Sequence, residues 1–198
     1  MTPERIEKAE QFGIELNRLV NETEVLASDK NRAAGAAFFI AQDHRHAIVF
    51  LLKNTFYSSS LALLRSLFEA YLRGLWLKYC ATDIQVKEFI AGGEPPNTVI
   101  AEIEAIPGFQ EKILSRIKKD VWKTMCAYTH TGGLHLLQWQ TPGGVEPNFD
   151  ADDLEECLNC AELFGAMSAL EFVQMSKAGN TGESVFKLMT KRWPGVKE

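Results

Sequence analysis

The sequence lacks the signals that name the common chemistries. It has no GxxxxGK[ST], no GxGxxG and no GxSxG, which excludes the usual phosphate-loop, dinucleotide and acyl-transfer readings. Cysteine is scarce, with only Cys80, Cys126, Cys157 and Cys160. The pair in Cys157-Leu158-Asn159-Cys160 has no second pair and no histidines at ligand spacing, so it does not specify zinc. Nor does it open a helix after a strand, as a redox pair would, and the four are read as reduced core thiols. No metal and no cofactor is implied. Long hydrophobic runs are missing too. The most membrane-like stretch, residues 33–52, is interrupted by Gln42-Asp43-His44-Arg45-His46, whereas a spanning helix needs about 20 mostly apolar residues. The opening MTPERIEKAEQFG is charged and has no apolar core of a signal peptide. A cytoplasmic protein without membrane contact is expected. Positive charge is not in excess either. A net charge of -5 gives no general reason to bind nucleic acid, so RNA binding would require a local basic face.

What is present is helical. Hydrophobic residues make up 46% and charged residues 24% of the 198, an ordinary globular balance that suits a single domain over 1–198. There is no alternating β-branched run long enough for a strand. Thr2-Pro3 opens a helix expected to reach about residue 26. Ser28-Asp29 caps a second over 29–54, and a central helix covers 57–80. Short helices follow at 83–91 and after Asn97, then a longer one over 111–130 that Gly132-Gly133 breaks. Residues 139–150 are a loop dense in Pro and Gly. Asp150 or Asp152 caps a long helix to about 177, which Gly179-Asn180 ends. The last helix, 182–193, makes residues 181–198 a C-terminal appendage. The expected fold is all-α, a bundle of about five long helices with short connecting ones.

The central segment carries the sequence's main anomaly. Arg65, Glu69 and Arg73 stand at i, i+4 and i+8 on one helical stripe. Leu61, Phe68, Leu72 and Trp76 flank that stripe, and Leu63, Leu67 and Ala70 cover the opposite side. A helix apolar all round is a buried helix, and buried Arg and Glu need partners. Either the three neutralise one another, or they floor an anion pocket with arginine forks aimed at phosphate or carboxylate and Glu69 orienting them.

The histidines supply the other candidates. His44 shares a face with Ala37, Ile40, Ile48 and Leu51 and is expected to point inward, as a core residue or a ligand contact. Residues 125–133, MCAYTHTGG, place Tyr128, Thr129, His130 and Thr131 at a helix end. There His130 either caps its own helix, with glycine at the left-handed position, or serves in binding or catalysis. Lys112, Arg116, Lys119 and Lys123 form a basic stripe that His130 continues. The stripe is either the solvated side of an amphipathic helix or a positive rail for a phosphodiester.

The strings LLRSLFEAYLRGLWLKYCAT (residues 63–82) and WKTMCAYTHTGGLH (residues 122–135) resemble those of an uncharacterised family of bacterial all-helical proteins. Its members pair an RP-L-F-E-x-x-x-R-G-L-W-L helix with a later Y-T-H-T-G segment, and Ser66 stands here in place of the proline. More distantly the layout is similar to HEPN-type toxin and phage-defence domains, many of which are metal-independent ribonucleases. Those carry an arginine and a histidine on one helix with four to six residues between them, a spacing that this chain lacks.

Two functions compete. One is a non-enzymatic module for a small anionic ligand or a protein partner, related to toxin–antitoxin or phage-defence systems, its contacts drawn from Arg65, Glu69, Arg73, His44, His130 and Thr131. The other is a HEPN-like ribonuclease. In it His130 does acid–base work, Arg65 or Arg73 stabilises the phosphorane, Glu69 orients them and Tyr128 positions the substrate. A two-fold dimer through apolar faces bearing Phe38, Phe39, Phe50, Phe164 and Phe172 is expected in either case.

Overall fold

The computed structural model describes residues 1–21, 23–176 and 181–195. It is all-α apart from one small hairpin. In chain order the helices are α1 (Pro3–Asn21), α2 (Asp29–Lys53), α3 (Tyr57–Tyr79), α4 (Asp83–Ile90), α5 (Val99–Glu104), α6 (Ile113–Thr129) and α7 (Gly133–Leu137). The hairpin strands β1 (Gln140–Thr141) and β2 (Gly144–Val145) follow, then α8 (Ala151–Val173) and α9 (Thr181–Arg192).

The helix starts follow side-chain chemistry. Ser28 accepts the amide of Asn31 at 3.1 Å, and Asp150 accepts that of Asp152 at 2.8 Å. Thr82 and Gln85 form a reciprocal capping box. The ends differ from expectation where backbone pairing or φ intervenes. α1 stops at Asn21 rather than near 26, and Val25 instead makes an isolated antiparallel bridge with Ser176. α6 begins at Ile113 because Lys112 takes a left-handed φ of 54°. α8 ends at Val173, short of 177; the Gly179-Asn180 stop lies outside the described residues.

The α2–α3 pair is the spine of the bundle. The two run antiparallel: Phe38 sits where a Cβ on Gly74 would come within 2.4 Å of its ring, and Lys30 Nζ donates to the Ala81 carbonyl at 2.9 Å. α8 packs across both, with Phe164 on Phe68 at 5.1 Å and Phe172 on Phe39 at 4.9 Å between ring centroids. α3 is central, and Leu61, Leu67, Phe68, Leu75 and Trp76 are buried. Its charged stripe, however, runs along a rim rather than inside.

The truly buried charges lie elsewhere, on α2 and α8. Arg45 is 1% exposed and Glu162 0%. The Arg45 side chain threads between Gly13 and Gly165, where added Cβ atoms would fall 1.9 Å from Nη1 and 2.2 Å from Cδ. Burial brings its guanidinium down to about 10, against the attraction of Glu162. Glu162 accepts both Nε and Nη2 of Arg192 at 2.8 Å and also pairs with Arg5. These pairs tie α1, α8 and α9 together. The C-terminal helix expected as an appendage thus packs on the body through Val185 and Met189, with Trp193 edge-on to Phe12 at 5.3 Å.

Of the aromatics expected to make a dimer face, Phe38, Phe164 and Phe172 are core residues, and only Phe39 and Phe50 stand open. Among the described residues no helix is long and apolar enough to cross a membrane.

Candidate functional site

Glu69 is the centre of the charged rim. Its Oε1 accepts Arg65 Nε at 2.8 Å, and its Oε2 pairs with Arg73 Nη2 at 2.9 Å. The i, i+4, i+8 spacing makes this possible, since one turn separates each pair. Burial by itself would raise the Glu69 carboxyl, but the hydrogen bonds and charges of both arginines outweigh it and hold the group below its ordinary value. The side chains of Arg65, Glu69 and Arg73 are 25%, 24% and 35% exposed. Their outer edges therefore face solvent, which corrects the expectation of a buried ladder.

α6 brings His130 to this rim. Thr129 Oγ1 donates to the carbonyls of Ala62 at 3.2 Å and Met125 at 2.9 Å, fixing the end of α6 on α3. Arg65 Nη1 lies 2.7 Å from His130 Nε2. A guanidinium only donates, so Nε2 is the accepting nitrogen and the ring proton sits on Nδ1. The Arg65 guanidinium carbon also stands 4.7 Å over the Trp122 ring, with Lys118 Nζ at 5.2 Å from the same ring. Trp122 and Lys118 were not among the expected site residues. The signal that would have found them is spacing: both are on the helix that His130 ends, one and two turns before Met125.

The turn after His130 differs from the expected glycine cap. Thr131, not a glycine, takes the left-handed position with φ 52°. Gly132 is needed for a different reason: its amide donates to the Ala127 carbonyl at 2.7 Å, and a Cβ there would lie 3.1 Å from the Ala127 Cα.

Tyr128 and the four residues of the basic stripe take no part in these contacts. Tyr128 is buried on the other side of α6, where it lines a cavity of about 270 Å³ with Met125, Cys157, Cys160 and Phe164. Burial, with Asp153 nearby, pushes its phenol up, so it is not poised to ionise. In the same cavity burial pushes both thiols up, that of Cys160 to about 11. Lys112, Arg116, Lys119 and Lys123 are exposed along the solvent side of α6. Among the described residues no group of three or more His, Cys, Asp or Glu is placed to hold a metal.

His44 is half-buried and does not enter the core. Of the expected inward face, Ala37 and Ile48 are buried, but the core side of α2 is carried by Ala34, Phe38, Ala41, Arg45 and Leu52, while Ile40 is exposed and Leu51 half-buried. His44 instead lines a cleft of about 400 Å³ between α2, α3 and α4. Ser66, Glu69 and Arg73 line it too, so the rim and the cleft share Glu69 and Arg73. Burial pushes the His44 imidazole down, against a smaller upward pull from Asp43. The rim therefore runs in a line along α3 from His130 and Arg65 through Glu69 to Arg73, and His44 of α2 lines the adjoining cleft toward Ser66 and Glu69.

A family described as "Family of unknown function (DUF6988)" matches residues 38–192, a span that holds every residue of this line. No curated protein and no solved structure matches the chain.

Proposed function

The chain belongs to that family, and from the geometry of the rim we propose that it is a binding module for a small anionic ligand. The observation that carries the reading is the shared carboxylate. Glu69 uses one oxygen on each arginine, holding two guanidiniums in set orientations while their outer edges stay open to solvent. Two arginines against one glutamate leave a net positive charge, and forked donors of this kind suit carboxylate and phosphate oxygens. Lys118 adds to the positive field beside Arg65.

A metal-independent ribonuclease is the second reading, and the 2.7 Å contact of Arg65 with His130 favours it. Against it, the Nε2 atom that would move a proton is already taken by Arg65, and Tyr128 is on the far side of α6. The motif resemblance supports a bacterial setting, the similar helical layout supports a connection with toxin–antitoxin or phage defence, and Phe39 and Phe50 support self-association as a two-fold dimer.

The test is calorimetric titration of the full chain with phosphate and acetate, beside Arg73→Ala, with labelled RNA and EDTA in a parallel cleavage assay. Anion binding lost in Arg73→Ala, without RNA cleavage, is the expected result. Cleavage that disappears in His130→Ala would replace the binding reading with the nuclease.

A further inference from the structure

We infer that the anion is the head of an amphiphilic monocarboxylate, whose apolar tail lies in the cleft between α2, α3 and α4; this rests on the anion-binding reading above. The cleft's walls are unlike its polar end. α2 contributes Ala33, Ala36 and Ala37, small side chains that leave a trough, and then Ile40. α4 closes the other side with Phe89 and Ile90. Ile40 is 49% and Ile90 60% exposed, so branched apolar side chains form both lips of an opening that none of the described residues covers.

The antiparallel pairing sets the order of these groups. Phe38 faces Gly74, so the alanines before it on α2 lie toward α4, and His44 lies toward Ser66 and Glu69. Arg73 stands between the apolar trough and the polar end. A carboxylate on Arg73 would thus have a hydrocarbon tail directed along the alanines, under Phe89 and Ile90.

Charge and size narrow the class further. Glu69 already offsets one of the two arginines, which leaves a single unit of positive charge and suits a monoanion rather than a polyphosphate. At about 30 Å³ per heavy-atom group, the eight to ten groups of a carboxylate with six to eight carbons take about 240–300 Å³, which the cleft of about 400 Å³ holds. His44, which burial keeps neutral, leaves the head without a second full positive charge. Each methylene placed in the trough is worth about a fourfold gain in affinity.

The test is a chain-length series on the full protein: acetate, butanoate, hexanoate, octanoate and neutral octanol, with inorganic phosphate alongside. Affinity is expected to rise about threefold to fourfold per methylene through hexanoate, with octanol far weaker than octanoate. Ala36→Phe fills the trough and should return octanoate to the acetate level. Ile90→Ser, on an exposed lip, is a second variant that should weaken octanoate several-fold more than acetate. If phosphate and acetate bind and depend on Arg73 but octanoate gains nothing over acetate, the tail assignment is wrong and the anion site stands. If no anion of either kind binds, both fall together.

Discussion

Arg65 on α3 and His130 at the end of α6 are hydrogen-bonded at 2.7 Å across 65 residues of sequence. That contact joins the two segments that sequence alone marks as odd. It also determines what each residue is able to do, because the histidine accepts and the arginine retains its hold on Glu69.

The two residues should differ in their cost to the fold. His130 is exposed and contributes mainly one hydrogen bond, so His130→Ala should destabilise by about 0.5–1 kcal/mol. Arg65→Ala loses that bond, the Glu69 contact and the Trp122 stacking. Arg73 still pairs with Glu69, and partial exposure screens the loss, so about 1–2 kcal/mol is expected. Urea unfolding of both variants checks the order.

The costly position is Glu162. It is fully buried and pairs with both Arg5 and Arg192, so Glu162→Gln removes the carboxylate that Arg192 grips with two nitrogens, while Arg5 keeps Glu155. Removing one partner of such a set typically costs about 3–5 kcal/mol. Gly13→Ala should also destabilise, by about 1–3 kcal/mol, because its Cβ would meet the Arg45 guanidinium. Thermal unfolding of each variant is the measurement.

Much of the fold is legible in the sequence, because helix caps and breakers are local. Ser28, Thr82 and Asp150 start helices through their own side chains. The run of the central helix follows from apolar periodicity. Which charges are buried was not legible. Arg45 stands in a cluster of polar residues that reads as a solvated break, and it is buried only because Gly13 and Gly165, distant in sequence, leave space for it. The Arg65, Glu69 and Arg73 stripe reads as buried because its neighbours are apolar, yet its outer edge stays partly exposed. Tyr128 and His130 are two residues apart and so point to different sides of α6, a separation that helical geometry alone would have predicted.

Stability should fall in mild acid. Burial lowers the imidazoles of both His44 and His46 below their ordinary value, with the Arg45 charge adding to the effect at His46. His46 Nε2 accepts from Arg45 Nη2 at 2.7 Å and from Asn17 Nδ2, so a proton there removes an acceptor beside a fixed positive charge. The unfolded chain takes up protons first, near pH 6.5, so stability is level above that pH and declines as pH drops below it. Chemical denaturation from pH 7.5 to 5 should show the decline, and His46→Gln should make it shallower.

The thiols of Cys157 and Cys160 should be unreactive in the folded protein. Burial raises both, and the thiolate is the species that reacts. A thiol reagent at pH 8 should label them only at the rate of unfolding, which a denaturant series would reveal.

The central claim is that the open edges of the two arginines bind an anion. The most direct measurement is the side-chain Nε–H resonances of Arg65 and Arg73 by NMR during titration with hexanoate. The account predicts a saturable shift, larger for Arg73, that disappears from the Arg65 signal when Arg73 is replaced by alanine in a protein that still folds. Shifts that grow linearly without saturating, or that are unchanged by the substitution, would contradict it.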